Sequence, residues 1–203
     1  MIEQLKYIWR RQPVMTFLLT GTNVLLFFLQ ALSARVGSAA ALRQWGAVSW
    51  ELVAVGGEYW RLFASMFLHM SFEHLLSNMF SLIVIGQVTE AALGHIPFLA
   101  VYLLSGTGAS VFSLWFYHLL NQNVISAGAS GAIFGILGAL LAAAVRRHGS
   151  VNGISRGRIL LLVLLMAYSG YTAVSVDNAA HLSGLAFGFL LGLLFCRRPA
   201  VSR

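Results

Sequence analysis

Apolar residues run through this chain in stretches longer than the core helices of a water-soluble domain. Six are set off by polar or charged residues: about Val14–Leu32, Trp60–Thr89, Pro97–Leu119, Ala127–Val145, Ile159–Val174 and Ala179–Cys196. A helix needs roughly 20 mainly apolar residues, within a range of about 17–25, to cross a bilayer. The pattern therefore predicts six membrane-spanning helices, the second with polar interruptions. The expected fold is all-α, a polytopic bundle forming a single membrane-embedded domain over residues 1–203, because no Pro/Ser-rich linker or compositional break divides the chain. The first run is too long for the apolar segment of a signal peptide and lacks a clear cleavage site. No internal repeat is evident, which counts against a transporter built from paired halves.

Composition agrees. Of 203 residues, 59% are hydrophobic and 9% charged, against about 25% charged in an average soluble chain. The mean hydropathy is +0.81. A net charge of +7 would suit nucleic acid if the cations formed one patch, but they do not. Lys6, Arg10 and Arg11, then Arg146, Arg147, Arg156 and Arg158, then Arg197, Arg198 and Arg203 all flank apolar runs. Such clusters mark the cytoplasmic side of membrane helices. Both termini are expected there, and no nucleic-acid partner is expected. The longest loop, about Ser33–Tyr59, carries Trp45, Trp50 and Tyr59, with Trp60 at its edge. That suits a segment lying in the membrane interface. The single cysteine, Cys196, allows no intrachain disulfide.

Polar side chains are costly in hydrocarbon and are candidates for function. The second run carries His69, Glu73, His74 and Asn78; the fourth carries Ser130; the sixth opens on Asp177 and Asn178 and then carries His181. Ser130, His181 and His74 stand 16 residues before Arg146, Arg197 and Glu90 respectively. At ~1.5 Å per residue each lies about 24 Å above the inner boundary, roughly 6 Å below the outer surface of a core about 30 Å thick. The even-numbered runs point the same way, so the three residues are expected to share one layer. His74 and Asn78, four apart, share a helix face. His181, Gly184, Gly188 and Gly192 form a stripe, and the fourth run offers small residues at Gly128, Ala129, Gly131, Gly135 and Gly138. Stripes of this kind let two backbones approach closely. Pairing of the fourth and sixth helices is thus expected to bring Ser130 to His181.

A nearby imidazole can take the serine proton and activate a hydroxyl that is otherwise a weak nucleophile. Ser130 opens its helix, where unpaired N–H groups and the positive end of the dipole would stabilise an oxyanion. His74 and Asn78 offer further donors. No acidic residue is placed to orient His181, which predicts a dyad and not a triad; Glu73 and Asp177 are expected near headgroups or water. Singly, each residue has a plainer reading, the Ser as packing in a Gly/Ala-rich helix and the His as an interfacial residue. The shared depth and the Gly stripe favour the pair. His69-x3-Glu73-His74 loosely resembles a zinc-protease signature but fits neither H-E-x-x-H nor H-x-x-E-H. Two His residues five apart also diverge by about 140° around a helix. No metal and no other cofactor is expected.

His69-x4-His74-x3-Asn78, Gly128-Ala129-Ser130-Gly131 and Ala180-His181-x2-Gly184-x3-Gly188, preceded by Trp60-Arg61, resemble the motifs of the rhomboid family of intramembrane serine proteases. The resemblance runs from about 58 to 192. It implies a six-helix bundle with a water-filled cavity open to the outer face. It implies Ser130 as nucleophile, His181 as general base, and His74, Asn78 and the Ser130 N–H as the oxyanion hole. It further implies that His69 braces the first loop against the second helix, that Trp60 and Arg61 are structural, and that Gly128 and Gly131 support the active site. Substrates would be single-pass transmembrane proteins cut near the outer end of an easily unwound helix, with lateral entry past the fifth helix. Phe134 stands where many members have Tyr; its ring can still stack on His181, without the hydroxyl. Two other functions compete: a non-catalytic relative that binds and escorts membrane proteins, and an ion-coupled transporter using His69, Glu73 and His74. The small architecture suggests a bacterial plasma membrane, with lipid as the surrounding partner.

Overall fold

The computed structural model describes residues 12–33, 36–147, 149–172 and 176–196. The basic clusters at both ends of the chain, with Arg35 and His148, fall outside the described residues. Helix α1 (Val14–Ser33) leads into the short α2 (Ala39–Trp45), a π-helical turn at Glu51–Val55, and the single turn α3 (Arg61–Ala64), which tightens to a 3-10 turn at Ser65–Phe67. Then follow α4 (Phe72–Leu93), α5 (His95–Leu119), α6 (Ser130–Arg146), the hairpin β1 (Ser150–Val151) and β2 (Ile154–Ser155), α7 (Arg156–Thr172) and α8 (Asn178–Phe195). Among the described residues, α1, α4, α5 and α8 are long and apolar enough to cross a membrane, and α6 is a shorter apolar helix.

The helices are built for an apolar solvent. Helix α1 buries Thr16, Asn23 and Gln30 while Phe17, Leu18, Leu25 and Phe28 face outward. With lipid outside, helices gain little from hiding apolar groups and associate through close packing and internal hydrogen bonds. Helix α6 shows the result. Built largely of Gly, Ala, Leu and Ile, it is buried along nearly all its length, among α4, α5, α7 and α8.

Helices α6 and α8 meet most closely. A Cβ on Gly184 would run into the carbonyl oxygen of Gly131, and one on Gly188 into that of Gly135. One on Gly192 would stand 2.6 Å from Ala139 Cα. The offset is the same each time, so the two helices run parallel in fixed register. Helix α5 runs antiparallel to them: Gly108 faces Phe187, while Ala109 faces Gly131 and Ser105 faces Gly135.

Three expectations need correction. The second apolar run is not one helix over about Trp60–Thr89. Leu68 is extended (φ −101°, ψ 150°), and the Ser71 hydroxyl accepts the His74 N–H at 3.1 Å, capping a new helix that starts at Phe72. His69 therefore precedes α4, and the argument from helical phase against its sharing a site with His74 does not apply; the two rings meet edge to face at 5.2 Å. Glu90 is not the first charge after the second helix but a buried residue of α4's last turns. It is 1% exposed and accepts the Met15 and Thr16 N–H groups at 2.8 Å and the Thr16 hydroxyl at 2.7 Å, with His95 Nδ1 at 2.5 Å. A carboxylate at a helix N-terminus satisfies unpaired amides and complements the dipole; here the carboxylate comes from another helix. Glu90→Ala, which strips these donors of their partner, is expected to lower stability by about 3 kcal/mol, read as a fall in melting temperature in detergent. An unchanged melting temperature would exclude the capping role.

Candidate active site

The site is assembled at one end of three helices. Ser130 is the first residue of α6, His74 lies in the first turn of α4 and His181 in the first turn of α8. The structure brings Ser130 Oγ and His181 Nε2 to 2.7 Å. This approach depends on the Gly row: Gly131 and Gly184, adjacent to the pair, let the two backbones touch. Phe134, one turn below Ser130, stacks on the His181 ring at 4.3 Å between centroids and 15° between planes. Gly170 of α7 lies close to the imidazole, where a Cβ would stand 3.0 Å from His181 Nδ1. The ring is thus packed by a phenyl face and a bare backbone, and His181 is 8% exposed. Among the described residues nothing hydrogen-bonds its Nδ1.

Gly128 adopts φ +147°, which side chains rarely do, and a methyl there would stand 2.9 Å from His74 Cε1 and 3.1 Å from its Nε2. The same methyl would lie 3.8 Å from Ser130 Oγ, so His74 and Ser130 face one small space that Gly128 leaves open. The Gly128 N–H donates to the Ser65 carbonyl at 2.9 Å, tying the strained turn to the segment after α3. Asn78, one turn below His74, is 6% exposed with its Nδ2 unpartnered among the described residues. His69 is fully buried beside His74. Glu73 is exposed. Chemically, the space holds a hydroxyl bonded to an imidazole, a second imidazole and the start of a helix, whose first N–H groups lack intrahelical partners. Among the described residues no group of three His, Cys, Asp or Glu side chains suits a metal ion.

The first loop is folded around Arg61, which is 6% exposed. Its guanidinium donates to Glu58 at 2.9 Å and to the Arg43 and Ala47 carbonyls at 2.5 and 3.2 Å, over the Trp60 ring. Val48 and Ser126 exchange backbone hydrogen bonds of 3.0 and 2.9 Å, and Trp50 stacks on His118 at 3.6 Å. Through these contacts the loop is fastened to the segment leading into Ser130.

Sequence reasoning missed the part that Asp177 plays in holding the site together. It is half-buried, and nothing in the sequence pointed to the distant partners it holds. It caps α8 by accepting the Ala180 N–H at 2.8 Å, and it accepts the hydroxyls of Ser113 at 2.5 Å and Ser126 at 2.7 Å. An Asp at a helix start was a visible capping signal; the two distant serines carried none.

A family model described as the Rhomboid domain matches residues 56–198. The chain is 38% identical over 164 residues to RHOMBOID-like protein 1 of Arabidopsis thaliana, which covers 80% of this chain and 41% of that relative. It is 33% identical over 178 residues to Rhomboid protease GluP of Bacillus subtilis, covering 88% and 34%. It is 31% identical over 207 residues to Rhomboid protease AarA of Providencia stuartii, covering 91% and 73%. The chain spans less than half the length of the first two of these relatives. The family match begins before Trp60-Arg61, includes all three helices that meet at Ser130 and extends past the Gly row that joins α6 to α8, so the chain belongs to the rhomboid family.

Proposed function

We propose that this chain is an intramembrane serine endopeptidase that cuts single-pass transmembrane proteins near the outer membrane face. The observation that carries this is the 2.7 Å contact between Ser130 Oγ and His181 Nε2, made at the start of two parallel helices. His181 takes the Ser130 proton as Oγ attacks the scissile carbonyl carbon. The carbonyl oxygen becomes an oxyanion facing the Ser130 N–H, His74 and Asn78. His181 then gives the proton to the leaving amine as the peptide C–N bond breaks, leaving an acyl-enzyme. Water, deprotonated by His181, attacks the ester, and the proton returns to Ser130 as the acid departs. Phe134 fixes the plane of the base. Donors aimed at a developing charge in a site screened from bulk water are worth more than in water. His74→Ala and Asn78→Ala are each expected to lower kcat about 100-fold with a smaller effect on KM, measured as steady-state cleavage in detergent.

The topology that goes with this activity has six spans in a single domain, with both termini cytoplasmic. Helices α6 and α7, at 17 residues each, reach the lower end of the ~17–25 range for a spanning helix. The basic residues between them, Arg146 to Arg158, then lie inside. The similarity to GluP, a rhomboid protease of a bacterium, supports placement in a bacterial plasma membrane. The test is to mix the purified protein with a single-pass substrate in liposomes and map the cut by mass spectrometry. A cut near the outer end of the substrate helix is expected. An intact substrate held in a stable complex would favour a binding and escort role instead.

A further inference from the structure

Asp177 lies outside the dyad, yet its carboxylate reaches both segments that carry it. Oδ1 accepts the Ala180 N–H at 2.8 Å and so starts α8 just before His181. Oδ2 accepts the Ser126 hydroxyl at 2.7 Å, four residues ahead of Ser130. It also accepts the Ser113 hydroxyl of α5 at 2.5 Å, and Ser113 is 2% exposed. Ser126 is gripped from its other side by the backbone pairing with Val48. Three donors from three separate stretches converge on one side chain. Hydrogen bonds of this length from hydroxyls to an ionised oxygen are about twice as strong as neutral ones. A helix cap needs only one of the two oxygens. The second oxygen, with two hydroxyls upon it, does something that capping does not require.

We propose that Asp177 is a positioning residue for the dyad, clasping the loop before Ser130, helix α5 and the start of α8 so that Ser130 and His181 stand at bonding distance. It does so without touching either side chain. It is not the third member of a triad, since a triad carboxylate holds the imidazole at Nδ1 and among the described residues nothing hydrogen-bonds His181 Nδ1. This role rests on the protease activity proposed above.

Asp177→Ser separates clasp from cap. Serine is a good N-cap, but it has a single oxygen and cannot hold the two distant hydroxyls as well. The variant is expected to melt close to wild type, to keep KM within about twofold and to lose about 10- to 100-fold in kcat, the scale of an ångström's misplacement. Labelling of Ser130 by a fluorophosphonate should slow in parallel. Asp177→Asn should recover most of the loss, because its amide still caps α8 and the serine hydroxyls can rotate to accept from its nitrogen. Ser126→Ala should lower kcat in the wild-type background and change nothing further in Asp177→Ser, since the interaction is already gone.

Wild-type kcat in Asp177→Ser would overturn the clasp, as would a loss confined to KM. Equal effects of Ser126→Ala in both backgrounds would do the same. If Asp177→Ser does not fold, Ser126→Ala alone decides, because it removes one donor and leaves the cap intact; an unchanged kcat then overturns the proposal. A wild-type protein that neither cleaves a single-pass substrate nor labels at Ser130 fails the protease proposal itself. One that does both, alongside an Asp177→Ser variant of equal activity, fails the clasp alone.

Discussion

Ser130→Ala is expected to abolish proteolysis, with kcat at least about 10⁴-fold below wild type and fluorophosphonate labelling lost altogether. His181→Ala should fall nearly as far, because a serine hydroxyl without its base is a poor nucleophile. Groups that act as one unit are non-additive, so the double variant should be no slower than the worse of the two single ones. Both replacements shorten half-buried or buried side chains without disturbing the Gly row, so the melting temperature should move far less than the rate. Activity that survives in Ser130→Ala, measured on a single-pass substrate in detergent, would sink the dyad. Additive losses in the double variant would mean that the two residues serve different steps.

The second large effect lies two turns away from the chemistry. A side chain at Gly188 would have its Cβ on the carbonyl oxygen of Gly135, a backbone atom of a helix buried on almost every side. Nothing there can rotate aside. Gly188→Leu is expected to destabilise the fold by about 3 kcal/mol, the upper part of the usual overpacking range. Any protein that does fold must hold α8 off α6. An ångström of displacement costs about 100-fold in rate, so cleavage should be lost even in the folded fraction. Gly21→Leu is the control: it lies on the exposed face of α1, where nothing stands within 4 Å of its Cβ position. It should leave both stability and rate near wild type. Equal effects at the two positions would mean that the Gly row is incidental.

The limits of α1, α5 and α8 are legible to within two residues because polar or turn-forming groups bracket unbroken apolar runs. The pairing of α6 with α8 is legible for another reason: glycines spaced by four put a groove on one face, and the matching helix has small residues to fill it. The break before α4 is obscure because Leu68 and Met70 are themselves apolar, so the run looks continuous although the chain turns. Only Ser71, a hydroxyl three residues before His74, marks the new start. Glu90 misleads in the opposite sense. A charge in a late helical turn reads as the water boundary, but its partners are the first amides of a helix 74 and 75 residues earlier. Asp177 hides its role in the same way, since Ser113 and Ser126 lie 64 and 51 positions away. By contrast, the β1–β2 turn is readable in hindsight: Asn152 and Gly153 take φ +49° and +81°, as an Asn-Gly hairpin turn requires. In general, contacts with a helical period can be read from the chain, and long-range polar contacts without one cannot.

Ser130 and His181 are 51 positions apart and sit on different helices, which gives the site a history during synthesis. At about 5–20 residues per second, a ribosome makes Ser130 several seconds before His181. During that interval the hydroxyl has no base beside it, and α6 has no glycine row against which to settle. The nascent chain therefore inserts beside other newly made membrane proteins while chemically inert. Under the proposed protease function, reactivity would arrive only when α8 docks, so the helix that carries His181 would also time activation.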